Sequence, residues 1–200
     1  MNKRLAVVTG VVAAALALPA FAMLQAGATA PDFTATASQA GKNFTFSLKD
    51  ALKKGPVVVY FYPAAYTGGC DLEAHTFATQ KDKFDAAGAT IIGVSADSIQ
   101  RLNSFSSDPD FCAGKFSVAS DPDGKIAAEY GLKLIPPQPG LKDVRGQTIT
   151  HGFIPRTTFV IGKDGKIVSA LSSDEDHIKP DQHVTKALAM VQQMQAGKSP

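Results

Sequence analysis

Cysteine is scarce in this chain of 200 residues, which has only Cys70 and Cys112. Two cysteines are too few for a disulfide-built scaffold, and this pair is too widely spaced for a CxxC motif or a zinc ribbon. Any thiol redox chemistry therefore rests on those two sulfurs. An excess of one charge is also lacking. Twenty basic residues face eighteen acidic ones, a formal charge of +2, and no segment gathers more than two or three basic residues. That excludes a nucleic-acid or polyanion binder. Of the four histidines, His75, His151, His177 and His183, no two stand at the i, i+4 spacing of a helical zinc pair. Cys70 and His75 alone make a weak ligand set, so no metal is expected. What remains is 44% hydrophobic and 19% charged, the balance of an ordinary single globular domain.

The N-terminus divides the chain before any fold can be read. Lys3 and Arg4 precede a mostly apolar 14-residue run from Leu5 to Leu18, followed by Pro19 and Ala20-Phe21-Ala22. That is the layout of a secretory signal peptide. As a helix the run would span about 21 Å, short of the roughly 30 Å hydrocarbon core, so cleavage after Ala22 is expected rather than retention as an anchor. The expected organisation is a signal peptide at 1–22 and one domain at 23–200. Eighteen basic and eighteen acidic residues are left after cleavage, a formally neutral chain with no stable membrane association. A periplasmic or secreted location would place both cysteines in an oxidising compartment.

From Ala30 onward there is no repeat, low-complexity tract or linker. Phe33 to Ala37 and Asn43 to Phe46 read as short strands about Gly41, followed by a brief helical segment from Ser47 to Lys54. Pro56 to Tyr62 is a continuous β-branched and aromatic run, as expected of a strand covered on both faces in a mainly parallel sheet. Ala74, Phe77, Ala78, Phe84 and Ala87 then fall on one stripe, which predicts a helix from about Gly69 to Ala87. Ala89 to Ala96 reads as a second buried strand and Ser98 to Phe105 as a second crossover helix. A short strand at Phe116 to Ala119 and a short helix at Ile126 to Tyr130 follow. Thr157 to Ile161 and Lys166 to Leu171 form a hairpin turned by Lys163-Asp164-Gly165, and Asp181 to Gln195 is a closing amphipathic helix. The β-α-β-α order specifies an α/β domain. Least legible is the proline- and glycine-rich stretch between Leu132 and Pro155, read as a long loop near a site or a subunit contact.

Cys70 sits where a buried strand has ended and a helix begins, with Gly68 and Gly69 just before it. Unsatisfied N–H groups and the positive end of the helix dipole favour thiolate there, so its pKa is predicted to be depressed. An inert, packed cysteine is the ordinary alternative. The surrounding string, Tyr62-Pro63-Ala64-Ala65-Tyr66-Thr67-Gly68-Gly69-Cys70-Asp71-Leu72-Glu73, resembles the active-site segment of the peroxiredoxins, in which Pro-x-x-x-Thr-x-x-Cys opens a helix. Gly69 and Glu73 make it most like the Q-type, or bacterioferritin comigratory, group of the alkyl hydroperoxide reductase/thiol-specific antioxidant superfamily. The resemblance extends through Ala30-Pro31-Asp32-Phe33, Val118-Ala119-Ser120-Asp121 and Arg156-Thr157-Thr158-Phe159-Val160-Ile161-Gly162-Lys163-Asp164-Gly165.

The resemblance implies a single thioredoxin-like domain with a central mixed sheet flanked by helices, and a thiol-dependent peroxidase with no cofactor. Cys70 would attack the O–O bond of hydrogen peroxide or an organic hydroperoxide and become a sulfenic acid. Thiolate formation alone cannot account for such a rate. Lowering a thiol from about 8.5 to about 6 raises the thiolate fraction at pH 7 roughly thirtyfold, and the accompanying loss of nucleophilicity returns about tenfold. The larger contribution must stabilise the transition state, where charge moves onto the departing oxygen. Arg156 is the prime candidate, because its charge is permanent and its planar fork can reach both sulfur and peroxide. Thr67 would supply a hydroxyl, the N–H groups of Gly69 and Cys70 further donors, and Pro63 shielding from water. Glu73 would tether Arg156 or a neighbouring donor. Each also has an ordinary reading: Arg156 as a surface ion pair, Thr67 as a helix N-cap, Pro63 as a strand terminator and Glu73 as an acidic residue in a first turn.

Resolution of the sulfenic acid is a separate question. His75 stands where many members of the Q-type group carry a second cysteine, which leaves Cys112 as the remaining thiol. Cys112 lies in the turn-rich segment from Ser106 to Gly114, expected to be exposed and mobile. It is the favoured resolving residue. A one-cysteine cycle, a bond to a second subunit and a structural bridge stay open, as does the choice between monomer and homodimer. A thioredoxin-like protein or another thiol donor would recycle the enzyme. The competing readings are an exported thioredoxin-fold binding or scaffold protein stapled by Cys70 and Cys112, a disulfide oxidoreductase disfavoured by the missing CxxC, and a cysteine hydrolase pairing Cys70 with His151. Tyr60 and Tyr62 read as core.

Overall fold

The computed structural model describes residues 22–197, so the expected signal peptide lies outside the described residues except for Ala22. A seven-stranded sheet carries the domain. It is built from β1 (Thr34–Gln39), β2 (Lys42–Ser47), β3 (Val57–Phe61), β4 (Thr90–Ser95), β5 (Ser117–Ser120), β6 (Thr157–Ile161) and β7 (Ile167–Ser172), in the order β2-β1-β5-β4-β3-β6-β7. Six helices accompany it: α1 (Leu48–Leu52), α2 (Gly68–Ala86), α3 (Ile99–Ser107), α4 (Lys125–Glu129), α5 (Ser173–Asp176) and α6 (Pro180–Gln195).

The sheet is mixed, as the resemblance implies, rather than mainly parallel as the β3 run alone suggests. Only the β3–β4 and β4–β5 pairs are parallel; β6 joins β3 antiparallel, and both edges close with antiparallel hairpins. A continuous apolar run reports coverage of both faces, not strand direction. All five residues of β3 are buried. Val58 and Tyr60 point into one core, with Phe77 and Phe84 of α2, Leu102 and Phe105 of α3, and Val184 and Val191 of α6. Val57, Val59 and Phe61 point into the other, with Phe33, Leu48, Tyr130 and Phe159. Each fully buried side chain of this kind stabilises the fold by about 1.5–3 kcal/mol.

Tyr60 stacks on Phe77 at 4.6 Å between centroids and on Tyr62 at 5.3 Å. Its ring needs a glycine opposite. A Cβ at Gly93, on neighbouring β4, would lie 2.6–2.8 Å from the Tyr60 ring and hydroxyl. The expected hairpin joins β6 and β7: Gly165 has φ +79° and Asp164 Oδ1 accepts the Lys166 N–H. Helix α5, one turn long, was not foreseen. It is capped by Ser172, which accepts the Glu175 N–H. Met23 and Leu24 pack against the second core, and the Leu24 N–H bonds the Tyr130 carbonyl at 3.2 Å.

Candidate active site

Strand β3 delivers the chain to the top of the sheet, and Pro63, which has no N–H, ends the pairing. The loop 63–67 leads into α2, with Thr67 at its N-cap position. The first helical bond runs from the Asp71 N–H to the Thr67 carbonyl, so the N–H groups of Gly68, Gly69 and Cys70 have no helical acceptor. Thr67 does not cap the helix with its side chain. Its hydroxyl turns back and donates to the Ala64 carbonyl at 2.8 Å. Pro63 and Thr67 are half-buried, and Cys70 is 2% exposed.

Arg156 enters from the segment just before β6. Its Nη2 donates to the Cys70 Sγ at 3.2 Å, and its Nη1 donates to Glu73 Oε2. Glu73, one turn beyond Cys70 on α2, is fully buried, and its Oε1 has no partner among the described residues. Gly69 makes room for this contact, since a Cβ there would lie 3.1 Å from Arg156 Nη2 and 3.4 Å from Pro180 Cγ. Four of the six expected site residues, Thr67, Cys70, Glu73 and Arg156, thus meet at the mouth of α2, and Pro63 opens the loop that leads to it.

The electrostatics depart from the expectation at two points. First, the Cys70 thiol is not lowered. Burial pushes it above its ordinary value, and Arg156, the Thr67 side chain and the Ala64 backbone pull it down without overcoming that rise. A helix mouth favours thiolate only as far as water or fixed charge supports the anion, and here Glu73 offsets part of the Arg156 charge. Burial likewise raises Glu73 to about 7 against the pull of Arg156. Burial opposes the charge on Arg156 itself, yet Glu73 and Cys70 outweigh it and hold the guanidinium firmly protonated.

Second, Cys112 is neither exposed nor in a loose segment. It is fully buried, in the same core as Cys70, and burial drives its thiol well up. The turn residues 108–115 wind into a compact knot. The Ala113 N–H bonds the Asp108 carbonyl at 2.8 Å, the Gly114 N–H bonds Ser106, and Ala113 and Gly114 both take positive φ. Phe111 stacks on Phe105 at 5.3 Å and meets Tyr66 edge-on at 5.3 Å. Polar residues face out and the aromatic–cysteine pair faces in, a division that turn composition alone does not reveal. His75 Nδ1 stands 3.0 Å from the Asp110 carbonyl, linking α2 to this knot. Both cysteines are free thiols.

Tyr60 and Tyr62 lie in the core as expected, and their hydroxyls have no partner among the described residues. His151 faces Asp97, 2.9 Å away, rather than pairing with Cys70 as a hydrolase would require. Sequence reading missed the residues that hold the loop 63–67: Tyr66, Asp97, Arg101 and Asp143. The position of Asp97 directly after β4, at the same end of the sheet as Cys70, was the one available signal.

A lone cysteine at a helix mouth, bonded by a half-buried arginine on a mixed sheet with helices on both faces, defines a thiol peroxidase of thioredoxin-like fold. Comparison with known proteins agrees. The AhpC/TSA family profile matches residues 26–170, and the chain belongs to that family. It is 30% identical over 175 residues to a chloroplastic peroxiredoxin Q of Sedum lineare, covering 87% of this chain and 81% of the relative. Among solved structures it resembles peroxidoxin BcpB from Mycobacterium tuberculosis, with TM-score 0.69 and 30% identity over 84% of this chain and 97% of that one. It also resembles the bacterioferritin comigratory protein of Xanthomonas campestris, with TM-score 0.63 and 26% identity over 82% and 92%. The protein is a thiol-dependent peroxiredoxin that reduces peroxides through a cysteine, which sets aside the scaffold, disulfide oxidoreductase and hydrolase readings.

Proposed function

We propose that Cys70 is the sulfur that reduces the hydroperoxide and that Arg156 stabilises the transition state. The observation that carries this reading is the 3.2 Å contact from Arg156 Nη2 to Cys70 Sγ, with the same guanidinium held by Glu73. The Cys70 thiolate attacks the nearer peroxide oxygen. An S–O bond forms, the O–O bond breaks, and the proton given up by the thiol goes to the departing oxygen as water or an alcohol. Because burial keeps the resting thiol protonated, the arrangement works by differential binding: Arg156, Thr67 and the free N–H groups at the start of α2 gain most when charge spreads from sulfur onto oxygen. Pro63 screens the sulfur from bulk water. Hydrogen peroxide and organic hydroperoxides both fit this chemistry.

Cys112 then resolves the sulfenic acid: its sulfur attacks the Cys70 sulfur, hydroxide leaves as water with the Cys112 proton, and a disulfide forms. A disulfide requires Cα atoms about 4.4–6.8 Å apart, and the knot at 108–115 and the first turn of α2 are the segments whose opening would free the two buried sulfurs to meet. A thioredoxin-like or other thiol donor returns the pair to thiols. The N-terminal run supports export to the periplasm or beyond.

Stopped-flow loss of peroxide tests the reading. Cys70→Ser is expected to abolish consumption, and consumption at the wild-type rate would overturn it. Intact mass after one equivalent of peroxide tests Cys112. A disulfide is expected, and a stable Cys70 sulfenate beside a free Cys112 removes it from the cycle. Export is tested by the mass of protein recovered from a bacterial periplasm, where loss of residues 1–22 is expected and the full-length mass would refute cleavage.

A further inference from the structure

Residues 132–155 contain no helix or strand beyond isolated bridges at Ile135–Phe153 and Lys142–Thr148, yet they reach the loop that leads to Cys70. That loop is bonded at successive backbone groups. The Ala64 carbonyl accepts the Thr67 hydroxyl at 2.8 Å, the Ala65 N–H donates to Asp97 Oδ2 at 2.8 Å, the Ala65 carbonyl accepts Arg101 Nη2 at 2.7 Å, and the Tyr66 carbonyl accepts the Val144 N–H at 2.9 Å. Tyr66 has φ +60°, a left-handed conformation that a bulky side chain keeps only where its surroundings over-determine it.

Arg101 is the centre of those surroundings. Its Nε stands 2.8 Å from Asp97 Oδ1 and its Nη2 stands 2.8 Å from Asp143 Oδ2; both carboxylates are fully buried. Asp143 Oδ1 accepts the N–H groups of Arg145 and Gln147, which sets the Arg145 guanidinium 3.2 Å from the centroid of the Tyr66 ring. His151 faces the same Asp97 oxygen at 2.9 Å. Nothing in the peroxide reaction requires two buried carboxylates and an arginine here, since none of them touches the sulfur. Asp97 and Arg101 bond the Ala65 backbone directly, and Asp143 holds Arg101 from the other side.

We infer that Arg101 is a positioning residue for the reaction at Cys70: with Asp97 and Asp143 it holds Ala65 and Tyr66 in the strained turn that presents Thr67 and the start of α2 to the sulfur. The inference rests on Cys70 being the reacting cysteine. It predicts a separation between two reactions of one thiol. Attack on a peroxide needs the loop donors in register, whereas alkylation by iodoacetamide needs only the thiolate. Misplacing a reacting group by about 1 Å costs on the order of a hundredfold.

The experiment follows Cys70 by peptide mass after quenching, with hydrogen peroxide in one series and iodoacetamide in the other. Arg101→Met is expected to slow peroxide oxidation about tenfold to a hundredfold while alkylation stays within about threefold of wild type. Arg101→Lys is expected to recover part of the loss, since one ammonium can replace only some of the four polar contacts to Asp97, Asp143, Ala65 and Gln147. Asp143→Asn keeps an acceptor for Arg145 and Gln147 but weakens the hold on Arg101, and is expected to fall between Arg101→Met and wild type. That variant decides the matter if Arg101→Met does not fold. A wild-type peroxide rate in the folded variants, or equal factors in both reactions, would overturn the inference. Failure of wild-type Cys70 to oxidise would instead overturn the assignment of the reacting cysteine.

Discussion

The Arg156 guanidinium is shared between Cys70 and Glu73, with one nitrogen 3.2 Å from the sulfur and the other on the carboxylate. A cation divided in this way supports the anion less than a free one would, but it is held in place. The resting thiol is therefore kept protonated by burial, and the catalytic gain lies in a donor pre-aimed at the reacting atoms.

Replacing Arg156 removes that donor. Arg156→Met is expected to lower the second-order rate of peroxide consumption about a hundredfold to a thousandfold and to raise the Cys70 thiol further. Stopped-flow rates beside a pH profile of alkylation check both parts. A rate within tenfold of wild type would show that the contact does not drive the reaction.

Glu73 raises the Cys70 thiol and itself titrates near 7, so the two ionisations are coupled. As pH rises through about 7, the new carboxylate charge opposes thiolate formation, and wild-type alkylation should climb more shallowly than a single ionisation. Glu73→Gln is expected to speed alkylation at pH 7 by about threefold to tenfold and to restore a single-proton profile. Unchanged rate and slope would contradict the coupling.

His183 lies fully buried between β6 and α5, with Nδ1 3.0 Å from the Thr158 hydroxyl and Nε2 2.9 Å from that of Ser173. Burial, with Arg156 nearby, pushes it down to about 4. The folded state thus holds the neutral ring while the unfolded chain takes up a proton below about 6.5. Stability from this group is complete above pH 6.5 and is lost as pH falls toward 4, by up to about 3 kcal/mol. His183→Gln, which cannot titrate, should therefore cost most at pH 7.5 and progressively less towards pH 4.5 in urea titrations. A pH-independent cost would refute the linkage.

The His75–Asp110 contact fastens the Cys112 knot to α2. One hydrogen bond is worth about 1 kcal/mol, roughly fivefold in an opening equilibrium. His75→Ala is expected to speed conversion of the Cys70 sulfenate to the Cys70–Cys112 disulfide by about that factor, without changing the initial oxidation rate. Time-resolved intact mass under non-reducing conditions measures both steps, and an unchanged disulfide rate would exclude the latch.

Much of this architecture was legible in local pattern. The buried runs of β3 and β4, the stripe of α2, the turn at Asp164-Gly165 and the cysteine after Gly68-Gly69 each depend on residues within a few positions of one another, where periodicity and backbone preference act. The string from Pro63 to Cys70 and the distant Arg156 also carried the resemblance to the peroxiredoxins.

What the chain's own order of residues determined is the set of elements and the chemical identity of the groups at the mouth of α2. Tertiary packing alone decided the burial of Cys112, the raised Cys70 thiol and the charged clamp on Ala65 and Tyr66. The reason is physical: desolvation and ion pairing depend on which atoms exclude water from which charges. Here those partners come from distant parts of the chain, 86 residues apart for Arg156 and Cys70.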